Sequence, residues 1–424
     1  MSKSEHGEQT TWQPERFSVP LFLSFIVGYF LSYALRSVNA TIAPLLADDL
    51  HLSAGALGWL TSSFFLAFAS VQWQLGKWLD RFGARRTETV LLLIAALGSL
   101  IMGFSDSLAM LSIGRIFIGL GVSSCLMAPY SFFRRCYAPE KQAQLAMWML
   151  LGGTTGSLSA TEPALWLAQA FGWRDIFLMT SGLLVIAALA IFTFVPETDR
   201  QIAAKGSNAT SAQPIKLLSL LTHPLLVRVI PTTIFFAGGF SALQTLWVGP
   251  WMTDRLGLSV DDAGLALFFF NLALMASYLL MSFASPFLEK RNFNLARQSL
   301  FGFYWFLFCM LLILLWRSPS AWWLWLLLTP GIPAVILMQT QTALLFPREL
   351  AGRVLTTYNL VMFSGAFAVQ WGMGLVMDGF VWLGFESDNA MWSTFGLLFI
   401  TQILSLVFFV TRRTPLPSRE TMHG

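Results

Sequence analysis

Long apolar stretches alternate with short polar ones along almost the whole chain. Each apolar run covers roughly 20 residues, the length a helix needs to cross about 30 Å of hydrocarbon. The pattern predicts twelve membrane helices, at about 19–46, 54–79, 87–104, 107–133, 143–169, 175–195, 225–250, 261–286, 296–316, 320–346, 351–377 and 391–411. Residues 1–14 are polar and lack a signal-peptide pattern. Between Pro196 and Pro224 the chain turns to small polar residues, Ala203 to Ser211, as a linker does. The expected division is a helical bundle at 1–197, a linker at 198–222 and a second bundle at 223–424.

Composition agrees with a membrane protein: 56% of residues are hydrophobic and 11% charged. With the N-terminus inside, the outer loops carry Arg174, Arg255 and Arg317, and all other loop and tail cations lie inside. That asymmetry predicts cytoplasmic termini. The formal charge of +4 then reflects contact with the lipid bilayer, with nothing to suggest nucleic acid. Cys125, Cys136 and Cys309 do not form a disulfide framework.

The two bundles echo each other. Pro44 to Ser53 lies over Pro250 to Ser259 without a gap, sharing Pro, Asp, two Leu and Ser, and Gly58 then meets Gly264. Gly76 to Arg81 has a worn copy in Ser285 to Lys290, and Pro139-Glu140-Lys141 has one in Pro347-Arg348-Glu349. Echoes in the same order argue for duplication.

The elbow Gly76-Lys77-Trp78-Leu79-Asp80-Arg81-Phe82-Gly83-Ala84-Arg85-Arg86 is strongly basic, hence cytoplasmic. The missing side chain of Gly76 suits a close helix approach, and Asp80 suits the N-terminus of a neighbouring helix. This stretch resembles the G-x-L-x-D-R-x-G-x-R-R loop between helices two and three of the major facilitator superfamily. Gly76, Asp80, Arg81, Gly83, Arg85 and Arg86 match, and Trp78 replaces the usual Leu. The resemblance implies an all-α membrane protein of twelve helices, in two six-helix bundles related by a pseudo-two-fold axis. Its substrate site would lie between them near mid-bilayer, reached by alternating access. It also implies a gate, with Asp80 meeting the start of helix eleven near Ala351 to Arg353 and Arg81 or Arg85 meeting Glu197.

An ionisable residue within a membrane helix costs about 2.5–3.5 kcal/mol and so needs a reason. Arg36 shares a helical face with Ser32 and Asn39, extended by Tyr29. It is either an anion-binding guanidinium or a structural Arg bonded to carbonyls. The stretch from Arg36 through Asn39 to Asp49 resembles helix one of the superfamily's organic-anion symporters, in which the Arg meets the anion. The Asp that commonly precedes that Arg is here Leu35. Arg115, in a stretch similar to the helix-four motif R-x-x-x-G-x-G, is either structural or proton-coupling. Glu162 stands as the acid well inside a helix, either a proton carrier or an acid reaching outer water. The second bundle offers neutral groups for an organic substrate: Gln244, Trp247, Asn271, Tyr278, Gln339, Tyr358 and Asn359.

No P-loop or metal-ligand spacing points to an enzyme, a cofactor or a metal. The expected function is a monomeric secondary transporter of the inner membrane, moving a small organic anion with protons as coupling ion. The competing reading is an efflux antiporter for amphipathic or drug-like compounds, suggested by the aromatic residues and a partial helix-five exporter motif ending in Ser157.

Overall fold

The computed structural model describes residues 18–137, 139–196 and 217–412, and among them almost every residue is helical. Before the segment 197–216 lie α1 (Val19–Leu50), α2 (Ala54–Gly103), α3 (Leu108–Cys136), α4 (Pro139–Ser159), α5 (Glu162–Phe171) and α6 (Trp173–Phe194). After it lie α7 (Pro224–Arg255), α8 (Val260–Lys290), α9 (Leu295–Leu315), α10 (Pro319–Leu344), α11 (Arg348–Trp382) and α12 (Ser387–Thr411). Ten of these are long and apolar enough to cross a membrane. Helices satisfy their own backbone groups, which hydrocarbon cannot do for them.

Two predicted boundaries change. The second and third predicted helices are one 50-residue element, α2, broken at Gly83, where φ is 78° and ψ 171°. Glycine takes that left-handed conformation without a Cβ clash. The arms fold back on each other at the break, and the Thr87 hydroxyl donates to the Trp78 carbonyl at 3.3 Å. The fifth predicted helix is divided into α4 and α5 around residues 160–161.

The echoed stretches have the same local geometry. Ser53 accepts from the Ala56 amide and starts α2, while Ser259 accepts from the Asp262 amide and starts α8. Their glycine partners also share a setting. Gly58 faces the Gln370 carbonyl of α11, and Gly264 faces Glu162 and Leu165 of α5.

With lipid outside, packing rests on close backbone approach. The Gly119 Cα lies against the Phe64 carbonyl and Gly156 against the Phe30 carbonyl, so a Cβ at either would enter van der Waals space. The Gly119→Ala substitution is expected to cost about 1–3 kcal/mol by overpacking, read as a lower melting temperature of purified protein. Gly182→Ala, whose Cβ meets open space, is the matched control and should leave it unchanged.

Candidate functional site

A cavity of about 1480 Å³ lies between α1–α4 on one side and α7, α8, α10 and α11 on the other. Gly76, Lys77, Asp80, Arg134, Gly352 and Arg353 stand on its wall, so its mouth is at the end where α2 turns. The far end is shut. There Gly249 of α7 rests on the Ala40 carbonyl, and Gly374 of α11 rests on the Ala54 carbonyl. Trp59 meets Trp371 edge-on at 5.1 Å, and Gln169 donates to Asp261 at 2.6 Å. Asp378 of α11 caps the start of α2, accepting from the Gly55 amide at 2.9 Å and the Ser53 hydroxyl at 2.8 Å. A carboxylate is favoured there by the unpaired amides and positive end of the helix.

Arg36 reaches the cavity from α1. Its guanidinium lies 4.7 Å from the Tyr33 ring centroid, 5.3 Å from Phe68, 5.5 Å from Phe363 and 5.9 Å from Phe64. Its Nε is buried with no partner, and among the described residues it makes no ion pair. Ring faces stabilise a cation but leave its N–H edge free for an acceptor. Opposite, Gln244 donates to Asn271 at 3.0 Å and Gln339 donates to Asn359 at 2.8 Å.

The cavity brings Tyr29, Arg36, Gln244, Asn271, Tyr278, Gln339 and Asn359 together. Three predicted substrate contacts are off its wall. Asn39 is fully buried and donates to Thr61 at 2.9 Å. The Trp247 indole donates to the Gln370 carbonyl at 3.1 Å, and the Tyr358 hydroxyl to the Val335 carbonyl at 3.4 Å. The turn of each helix points these side chains into helix contacts, which composition did not reveal. Tyr33 and Tyr130 line the cavity and were missed. Tyr33 follows Tyr29 by one helical turn, a spacing that could have found it.

Arg115 is away from the cavity, 1% exposed, donating to the Leu35 carbonyl at 2.8 Å and lying 5.3 Å from the Phe177 ring. Glu162 stands in the first turn of α5 and not within a continuous helix. Its Oε2 is buried without a partner at the contact with Gly264. The expectation that it is the acid well inside a helix is corrected by Glu88, which is 0% exposed in the second arm of α2. Glu88 escaped notice because it falls at the start of a predicted span.

At the elbow, Asp80 accepts from Arg135 at 3.1 Å. Arg81 lies 5.2 Å from the Phe82 ring and Arg85 4.4 Å from Phe192, while Arg86 is exposed. Glu197 lies outside the described residues. A Cβ at Gly76 would meet open space, so the close approach expected of this glycine is absent with the mouth open.

The family model of the Major Facilitator Superfamily matches residues 25–370. The hexuronate transporter of Bacillus subtilis is 25% identical over 58% of this chain and 58% of its own length. The tetracenomycin C resistance and export protein of Streptomyces glaucescens is 29% identical over 54% of this chain and 41% of its own. The chain thus spans about half the length of these curated relatives. A bacterial homologue of the human lysosomal transporter Spinster, inward-facing and unoccupied, shares the fold. Its TM-score is 0.74 at 14% identity, covering 93% of this chain and 97% of that one.

The Asp378 cap joins helices from opposite sides of the cavity, so its loss should favour separation at the far end. Hydrogen bonds to a charged group are worth about 1.5–3 kcal/mol, so Asp378→Asn should shift the equilibrium roughly tenfold or more. Spin labels at the exposed positions His51 and Gly379 should report a larger long-distance population in that variant.

Proposed function

The chain belongs to the Major Facilitator Superfamily, and from that premise we propose that it moves a small organic anion across the membrane by alternating access, with protons as coupling ion. It is an integral, multi-pass membrane protein and a transporter by family. The observation that carries the anion is Arg36, which among the described residues makes no ion pair and stands on the wall of a cavity between two groups of helices. In low dielectric a bound carboxylate supplies the missing charge and accepts two parallel N–H bonds. The amide pairs Gln244–Asn271 and Gln339–Asn359 are suited to the polar groups of the same molecule. The anionic cargo in the name of the hexuronate relative supports this reading.

In this scheme the arms of α2 cross separately and α4 crosses with α5, for twelve spans in two bundles joined by the linker 198–222. The basic charge of the elbow supports a cytoplasmic mouth, and in this scheme the present conformation is inward-open. Closing that mouth would bring Asp80 from Arg135 to the start of α11, while the far end separates. Glu162, at the contact between α5 and α8, would gain or lose water in that movement and is a coupling candidate. Arg115, held by the Leu35 carbonyl, would act on coupling through α1. The transporter works as a monomer in this scheme.

The second reading, efflux of amphipathic or drug-like compounds, is favoured by Tyr33, Trp73, Tyr130, Phe240 and Phe363 on the wall and by the export function in the name of one relative. Expression in a pump-deficient host separates the two. Raised tolerance across a compound panel would support efflux, and unchanged tolerance with organic-acid uptake would support the first reading.

Ligands that bind the folded state raise its melting temperature. Among organic acids that do so, Arg36→Gln should weaken binding by roughly 10–100-fold, the worth of charge-assisted hydrogen bonds. Arg36→Lys should keep the charge but lose the fork and fall between. An unchanged thermal shift in Arg36→Gln would remove the anion reading. Asp80→Asn should slow turnover in proteoliposomes more than it weakens binding, and equal turnover would remove the elbow from the gate.

A further inference from the structure

Glu88 belongs to neither the cavity nor any ion pair described above. It sits in the second arm of α2, fully buried, and neither carboxyl oxygen has a hydrogen-bond partner. The neighbouring elements make room for it without meeting its charge. On α1 stands Gly28, where a Cβ would lie 3.2 Å from Oε1, and Leu92 and Ile191 border the same glycine. From the bend of α3, the Cys125 thiol lies within electrostatic reach of Glu88, and Arg36 of α1 lies within reach of the same thiol without pairing with Glu88. No Lys or Arg pairs with Glu88 among the described residues.

An ionised carboxylate so placed would have neither a protein hydrogen bond nor a counter-ion among the described residues, which is far costlier than a neutral acid. The residues around it are close to the cavity in the chain: Gly28 precedes Tyr29 and Cys125 precedes Leu126, and both of those followers stand on the wall.

We propose that Glu88 is a proton-binding site. Its carboxyl holds a proton while α1, α3 and α6 pack around it as here. When that packing opens, water enters, the O–H bond breaks, water takes the proton as hydronium and the carboxylate remains. The proton site itself stands on this geometry; only its use in coupling rests on the transport reading.

Infrared spectroscopy of the purified full chain tests the proton directly, with no substrate needed. At neutral pH the C=O stretch of a protonated carboxyl should be present in the wild type and lost in Glu88→Gln. Gly28→Ala, which crowds Oε1, should displace the same band and serves if Glu88→Gln does not fold. Identical carboxyl bands in all three proteins would overturn the proposal. In proteoliposomes with D-glucuronate as probe, Glu88→Gln should lose accumulation driven by a pH gradient and keep counterflow. Undiminished accumulation would overturn the coupling role. Absent counterflow in the wild type would count against D-glucuronate as cargo, and the infrared comparison would still decide the proton site.

Discussion

The cavity exists because helices from the two parts of the chain touch at one end and diverge at the other. At the touching end, backbone meets backbone: Gly249 on Ala40 and Gly374 on Ala54. Asp378 adds a charged cap to the start of α2 across the same seam. Side chains larger than hydrogen at those glycines would hold the helices apart. Polar, small and aromatic groups join the seam, with Trp59 against Trp371 beside the glycine contacts and the Asp378 cap.

Buried charge is the second constraint, and three residues meet it differently. Arg115 donates to a main-chain carbonyl and lies against a ring, so part of its charge is met inside the protein. Arg36 lies among aromatic faces on the wall of the cavity, its Nε buried without a partner and with no ion pair among the described residues. Glu88 has neither cation nor donor among the described residues, and a proton is the simplest neutraliser available to it. The arginines are neighbours through the Leu35 carbonyl, yet only Arg36 stands on the cavity wall, since Arg115 reaches α1 from α3 behind it.

Much of this was legible in the residues. Apolar run length predicted the helices, because hydrocarbon thickness sets their length. The Gly83 elbow and the serine caps of the echoed stretches are local features, readable from residue type and spacing. Arg36 stood out because an arginine in an apolar helix is costly wherever that helix packs. The break before Glu162 and the joining of α2 into one element were less legible, since local breaks depend on contacts from other helices.

The sequence by itself determined the helices, the polar stripe of α1 and the family. Each follows from short-range pattern, and hydropathy needs no partner to be read. Which polar side chains face the cavity was decided only by tertiary structure. Asn39, Trp247 and Tyr358 carry the same chemistry as residues on the wall, but neighbouring helices supply them with partners. Glu88 shows the reverse case: its unpaired burial follows from the arrival of Gly28 and Cys125, on helices distant in sequence.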